Sequence, residues 1–226
     1  MPRLITGLEP ARIARNLERV REAIAGAGRD PATVDVLAAA KYVPLEEMDA
    51  LRESGLTLLG ENRAQELEDK ATLHPGFRWH FIGQLQSRKV RTLVGVVDVW
   101  QTVDRPVLVD ELAKRAPGAR VMVQVNVTDE PQKAGCAPGD APALVAAARE
   151  AGLAVDGLMT VGRAGPPEGS RAGFRELRAL ADRLGVRHCS MGMSEDLEVA
   201  VASGSTMVRV GTALFGHRPP PLDPPK

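Results

Sequence analysis

Val34-Asp35-Val36-Leu37-Ala38-Ala39-Ala40-Lys41 is the stretch that decides the architecture. Apart from Asp35 it is apolar until it ends on a lysine. A short, nearly continuous apolar run is the mark of a strand covered on both faces. Upstream, residues 9–25 repeat apolar Ile13, Leu17, Val20 and Ile24 at helical spacing, so an amphipathic helix opens the chain. Downstream, Pro44 and Leu45-Glu46-Glu47 begin a helix that reaches Ser54, and Gly55 is a stop signal.

The same alternation continues along the chain. Strands are predicted over 34–40, 56–60, 79–82, 96–101, 120–127, 155–161, 187–190 and 207–210. Helices are predicted over 64–72, 87–93, 106–115, 141–151, 173–184 and 194–202. Strands that alternate with helices form a parallel sheet, because parallel neighbours need crossover connections. Eight such units predict a small (β/α)8 TIM-type barrel with an extra N-terminal helix, of the α/β class. A doubly wound open sheet is the alternative, with its ligand crevice at a topological switch point. No G-x-G-x-x-G follows the first strand, so nothing supports a dinucleotide site. The barrel is expected over residues 1–217 as one domain. Residues 218–226, with their prolines, are expected to be a disordered tail.

Composition narrows the function classes. The 226 residues are 44% hydrophobic, enough for a sizeable core, and aromatics are only 3%, so an aliphatic core is expected. Twenty-nine basic residues balance 29 acidic ones, which gives no nucleic-acid surface. No apolar run has membrane-span length and no signal-peptide core opens the chain, so a cytoplasmic protein is expected. Cys136 and Cys189 match no metal-ligand spacing, and no metal site is expected.

Barrel sites lie at the C-terminal strand ends, where Lys41 falls. Lys41, Ala39 and Leu37 share one face by period-2 alternation. An amine in an apolar pocket favours its neutral form and attacks aldehydes; a lysine that snorkels to solvent has the same sequence signature. Gly211 and Thr212 follow the last strand and open a helical turn, a natural phosphate cradle. Ser194 follows the preceding strand, both as a phosphate donor and as an N-cap for the helix over 195–202. A lysine and a phosphate-ready loop together imply a ligand with an aldehyde and a phosphate. Arg209 alternates with Val208 and Val210, which places it inside the barrel, where it needs a partner. Either a ligand or an ion pair with Asp35 or Glu61 would serve. Asn62 and His80 sit at mouth positions as pocket groups, or as a turn residue and a core histidine. Lys133 reads as a solvated loop lysine. The loop over 163–170 is polar and turn-rich.

These residues fall in motifs that resemble one known family. They are Ala39-Ala40-Lys41, Gly60-Glu61-Asn62, Trp79-His80-Phe81-Ile82-Gly83-Gln84-Leu85-Gln86-Ser87, Gly157-Leu158-Met159, Ser190-Met191-Gly192-Met193-Ser194 and Gly204-Ser205-Thr206-Met207-Val208-Arg209-Val210-Gly211-Thr212. The chain, as far as about His217, resembles the pyridoxal-phosphate homeostasis proteins (the YggS/PROSC family). These are similar to the N-terminal barrel of alanine racemase without its second domain. The resemblance implies pyridoxal 5′-phosphate held as an aldimine on Lys41, with Arg209 at the pyridine nitrogen. It gives the phosphate to Ser194, Gly211 and Thr212, and lines the pocket with Asn62, His80, Ser190 and Met191. Tyr42, where many relatives carry a smaller residue, is expected to point away from Lys41.

An arginine at the ring nitrogen disfavours its protonation, and the cofactor needs that proton as an electron sink. The expectation is therefore a monomeric carrier in vitamin B6 homeostasis with no catalytic residues, whose partners are the cofactor and apo-enzymes that need it. Two other readings stay open: a slow racemase using His80 as its second base, and a Schiff-base aldolase acting on a sugar phosphate through Lys41.

Overall fold

The structure, a computed structural model, describes residues 4–128 and 130–217. The tail expected over 218–226 lies outside the described residues. Eight parallel strands close into one barrel in sequence order. They are β1 (Asp35–Ala39), β2 (Leu58–Glu61), β3 (Arg78–Phe81), β4 (Val99–Val103), β5 (Arg120–Gln124), β6 (Ala154–Met159), β7 (His188–Ser190) and β8 (Met207–Val210). Closure is made by β1, which pairs with β2 through Ala38 and Leu59 and with β8 through Leu37 and Arg209. The open-sheet alternative is thereby excluded.

Helix α1 (Pro10–Gly26) precedes the barrel and buries the expected Ile13, Leu17, Val20 and Ile24. The remaining helices are α2 (Met48–Glu53), α3 (Ala64–Leu73), α4 (Ser87–Leu93), α5 (Pro106–Arg115), α6 (Ala141–Glu150), α7 (Arg171–Arg183), α8 (Leu197–Ala202) and α9 (Thr212–Phe215). A 3-10 turn, Leu45–Glu47, occupies the start of the predicted second helix. Another, Pro167–Ser170, gives order to the turn-rich loop, where Ser170 Oγ accepts from the Arg163 N–H at 2.9 Å.

Alternation along the strands separates two cores. Leu37, Leu58, Val99, Met122, Met159 and Met207 fill the barrel. Their neighbours, such as Ala38, Leu59, Phe81, Trp100, Val123, Leu158 and Val208, pack outward under the helices. The few aromatics break the expectation of a purely aliphatic core. Trp79, Trp100, Phe81 and Phe174 are the bulkiest buried side chains, and all lie in the outer layer. They fill the gap between cylinder and helices, where large flat groups fit better than inside a narrow barrel.

Two strands depart most from prediction. The fourth begins at Val99 rather than residue 96, because Gly95 at φ 86° ends the α4 turn first. The fifth stops at Gln124, after which Val125 bridges Cys136 and the chain leaves the sheet.

Candidate functional site

At the C-terminal mouth a cavity of about 430 Å³ opens between the ends of β1, β6, β7 and β8. Its lining includes Ala39, Lys41, Tyr42, Gly162, Ser194, Asp196, Arg209, Gly211 and Thr212. The volume suits a small organic ligand.

Lys41 is one corner of a β-turn. The Ala40 carbonyl accepts from the Val43 N–H at 3.0 Å, and the Ala40 N–H donates to the Gly60 carbonyl at 2.8 Å. The Ile5 N–H donates to the Tyr42 carbonyl at 2.9 Å. The turn breaks the strand alternation, and Tyr42 does not point away as expected. Its ring centre lies 5.1 Å from Lys41 Nζ, with the Arg63 guanidinium 5.9 Å from the same ring. Both are cation–π distances.

The phosphate-type loops meet as expected in place, but Ser194 differs in role. Helix α8 begins at Leu197 with Asp196 at its cap position, and Asp196 Oδ1 accepts from the Met193 N–H at 2.6 Å. Ser194 Oγ instead accepts from the Ala213 N–H at 3.1 Å, across the chain in the first turn of α9. The loops after β7 and β8 are thus joined where Gly211 and Thr212 turn into the cavity. Gly192, at φ 94°, permits the turn after β7; a Cβ there would come within 2.5 Å of Ala200 Cβ.

Arg209 is buried and forms no ion pair with Asp35 or Glu61. Nη1 donates to the Ser190 carbonyl at 2.7 Å and to Ser190 Oγ at 2.8 Å, and Nη2 donates to the Thr160 carbonyl at 2.7 Å. Burial pushes its pKa down to about 10, opposed by the Asp196 charge, so it stays a cation at neutral pH. A fork held from one side by neutral acceptors faces the cavity.

Ser190 Oγ donates onward to Gln101 Oε1 at 2.7 Å, and Gln101 Nε2 donates to His80 Nδ1 at 2.7 Å. His80 is therefore a core group inside the barrel, away from the cavity lining. Burial, with Arg120, Arg78 and His188 adding repulsion, pushes its pKa down to about 3, so it is neutral at ordinary pH. Ser190 supports Arg209 from beneath. Met191 packs in the outer core, and Asn62 is exposed at the rim with its N–H bonded to Glu61 Oε1 at 2.7 Å. The structure thus gathers Lys41, Ser194, Arg209, Gly211 and Thr212 around one cavity, and leaves Asn62, His80, Ser190 and Met191 outside its lining.

Sequence reasoning missed three contributors. Gln101 joins His80 to Ser190. Asp196 lines the cavity beside Gly162, where a Cβ would meet Asp196 Oδ2 at 2.3 Å. Lys133 is no solvated loop lysine. It lines the cavity, pairs with Glu130 at 2.5 Å and donates to the Gly162 carbonyl at 2.5 Å. Gly135, two residues on, takes φ 123° where that loop returns against Val125 and Asn126, and a glycine at that spacing is the sequence trace of the return.

Residues 8–219 match the family model described as alanine racemase, N-terminal domain. The chain is 41% identical over 216 residues to the pyridoxal phosphate homeostasis protein of Pseudomonas aeruginosa, covering 91% of this chain and 94% of the relative. It belongs to the pyridoxal phosphate homeostasis protein family. An Aquifex aeolicus member is also 41% identical, over 92% of this chain and 97% of its own. PipY of Synechococcus elongatus, a structure with pyridoxal phosphate bound, superposes with a TM-score of 0.76 at 30% identity, over 90% of this chain and all of that one. Alanine racemase from Corynebacterium glutamicum shares the barrel alone, with a TM-score of 0.71 at 16% identity. Among the described residues of this family member, no helix is long and apolar enough to cross a membrane, and no His/Cys/Asp/Glu cluster suited to a metal is present.

Proposed function

We propose that this family member binds pyridoxal 5′-phosphate in the mouth cavity and holds it reversibly for cofactor homeostasis in the cytoplasm, without efficient catalysis. The observation that carries the reading is the convergence of an amine, a guanidinium and a small-residue turn on one cavity. Those are the groups needed for an aldehyde, a ring nitrogen and a phosphate. The residues present fit the cofactor. Arg209 is a buried cation which, among the described residues, has no carboxylate in its hydrogen-bonding set. A cation in that state is suited to a polar ligand group.

Bound pyridoxal phosphate supplies an aldehyde and an electron-withdrawing ring. Lys41 would hold the cofactor through its aldehyde carbon, the displaced carbonyl oxygen leaving as water. Ser194, Gly211 and Thr212 would hold the phosphate. Arg209 would face the ring nitrogen and disfavour a proton there, which would weaken the ring as an electron sink. Ser190, Gln101 and His80 hold Arg209 in that orientation. His80, neutral and inside the barrel, is out of position as a second base. Tyr42 stands beside Lys41, with its ring centre at cation–π distance from the amine.

The protein is proposed to act as a monomeric barrel over residues 1–217 that passes the cofactor to apo-enzymes. Exchange of the alanine α-proton in D2O tests the non-catalytic part. The expected rate is that of free cofactor at equal concentration; efficient exchange would overturn it.

A further inference from the structure

Glu61 and Lys70 form an ion pair sealed from solvent, at 0% and 2% exposure, with Lys70 Nζ 2.6 Å from Glu61 Oε2. Lys70 Nζ also donates to the Ala40 carbonyl at 2.8 Å. That oxygen belongs to the peptide unit joining Ala40 to Lys41. Because a peptide is planar, fixing its oxygen fixes the plane from which the Lys41 Cα and side chain depart. Glu61 Oε1 meanwhile accepts from the Asn62 and Arg63 N–H groups at 2.7 and 3.1 Å, which locks the turn after β2. Glu66 Oε2 stands 3.6 Å from Lys70 Nζ as a looser third neighbour. The pair therefore ties β2 and α3 to the one peptide unit that presents Lys41.

We propose that Glu61 and Lys70 are positioning residues for Lys41, setting the direction in which its amine enters the cavity. The inference rests on the reading of Lys41 as the cofactor lysine. A buried ion pair contributes little net stability over apolar residues of the same size, so geometry is the better reason for this one. Stability needs only that the volume be filled. Aiming a long lysine needs a donor of fixed length between a carboxylate and one carbonyl.

The test compares wild type with E61Q/K70M, which keeps an acceptor for the Asn62 and Arg63 N–H groups and removes both charges, and with K70R, which keeps the charge and alters the donor geometry. Two readouts are taken on folded protein. One is hydrogen exchange at the Ala40 and Val43 amides without cofactor. The other is the rate of covalent capture of pyridoxal 5′-phosphate by Lys41. The expected result is exchange at least about ten-fold faster at those amides in E61Q/K70M, with α5 amides unchanged, and capture slowed about 10–100-fold in both variants. A purely structural pair would leave capture by K70R at the wild-type rate, and that result would overturn the proposal. Should E61Q/K70M not fold, K70R decides alone. If wild type captures no cofactor, the reading of Lys41 fails, and the Ala40 and Val43 exchange still decides whether the pair holds the turn.

Discussion

Two buried cations lie within the same barrel, and they are finished differently. Lys70 meets a carboxylate at 2.6 Å and a carbonyl at 2.8 Å. Arg209 meets two carbonyls and a hydroxyl on one side and a cavity on the other. Their burial is nearly equal, at 2% and 5% exposure. The difference teaches that burial alone does not mark a binding group. Lys70 is complete within the fold, whereas Arg209 remains open toward the cavity.

Removing one partner of the complete pair should have the largest effect on stability. Lys70→Met leaves the Glu61 carboxylate buried without its cation, and urea unfolding should show a loss of about 3–5 kcal/mol. Arg209→Met should cost less, about 1–3 kcal/mol by the same measurement. It strands the Thr160 carbonyl, while the Ser190 carbonyl keeps the Thr160 N–H at 3.1 Å, and it also removes a desolvated charge. Equal losses in the two variants would erase the distinction between the cations.

The His80 end of the Arg209 network gives a pH test. His80 has its folded pKa pushed from 6.5 down to about 3, so the unfolded chain binds its proton more tightly. Stability from this group is complete above about pH 6.5 and falls as pH drops toward 3, by up to about 1.4 kcal/mol per unit. Thermal unfolding across that range checks it, and His80→Gln should flatten the slope. The smallest expected effect is that of Ser194→Ala, which removes the acceptor for the Ala213 N–H; about 1 kcal/mol should be lost in urea unfolding. A larger loss would mean that Ser194 holds up the barrel rather than the mouth alone.

Much of this was legible in the sequence, for definite reasons. Apolar runs at regular spacing showed the strands, and the strand-end rule put Lys41, Ser194, Gly211 and Thr212 at one mouth. Alternation placed Arg209 inside. Gln101 stayed hidden because it sits among Val99, Trp100 and Val103, and only barrel closure decides that it faces inward. Tyr42 was misdirected because the turn at Lys41 ends the alternation on which its direction was judged. The ion-pair alternative for Arg209 fails at Glu61 because Glu61 is already taken by Lys70, nine residues on, through a strand–turn–helix return that spacing does not reveal. Lys133 depends on how the chain leaves β5 after Val125.

Lys41, inside a cavity completed by Arg209 and the Ser194–Thr212 turn, is proposed to capture pyridoxal phosphate. The most direct measurement is the near-visible spectrum of wild type and Lys41→Ala with pyridoxal phosphate, followed by borohydride reduction and peptide mapping. The expected result is a yellow wild type whose reduced label maps to Lys41, and a variant without the label. A wild type that stays colourless, or a label that maps to another lysine, would contradict it.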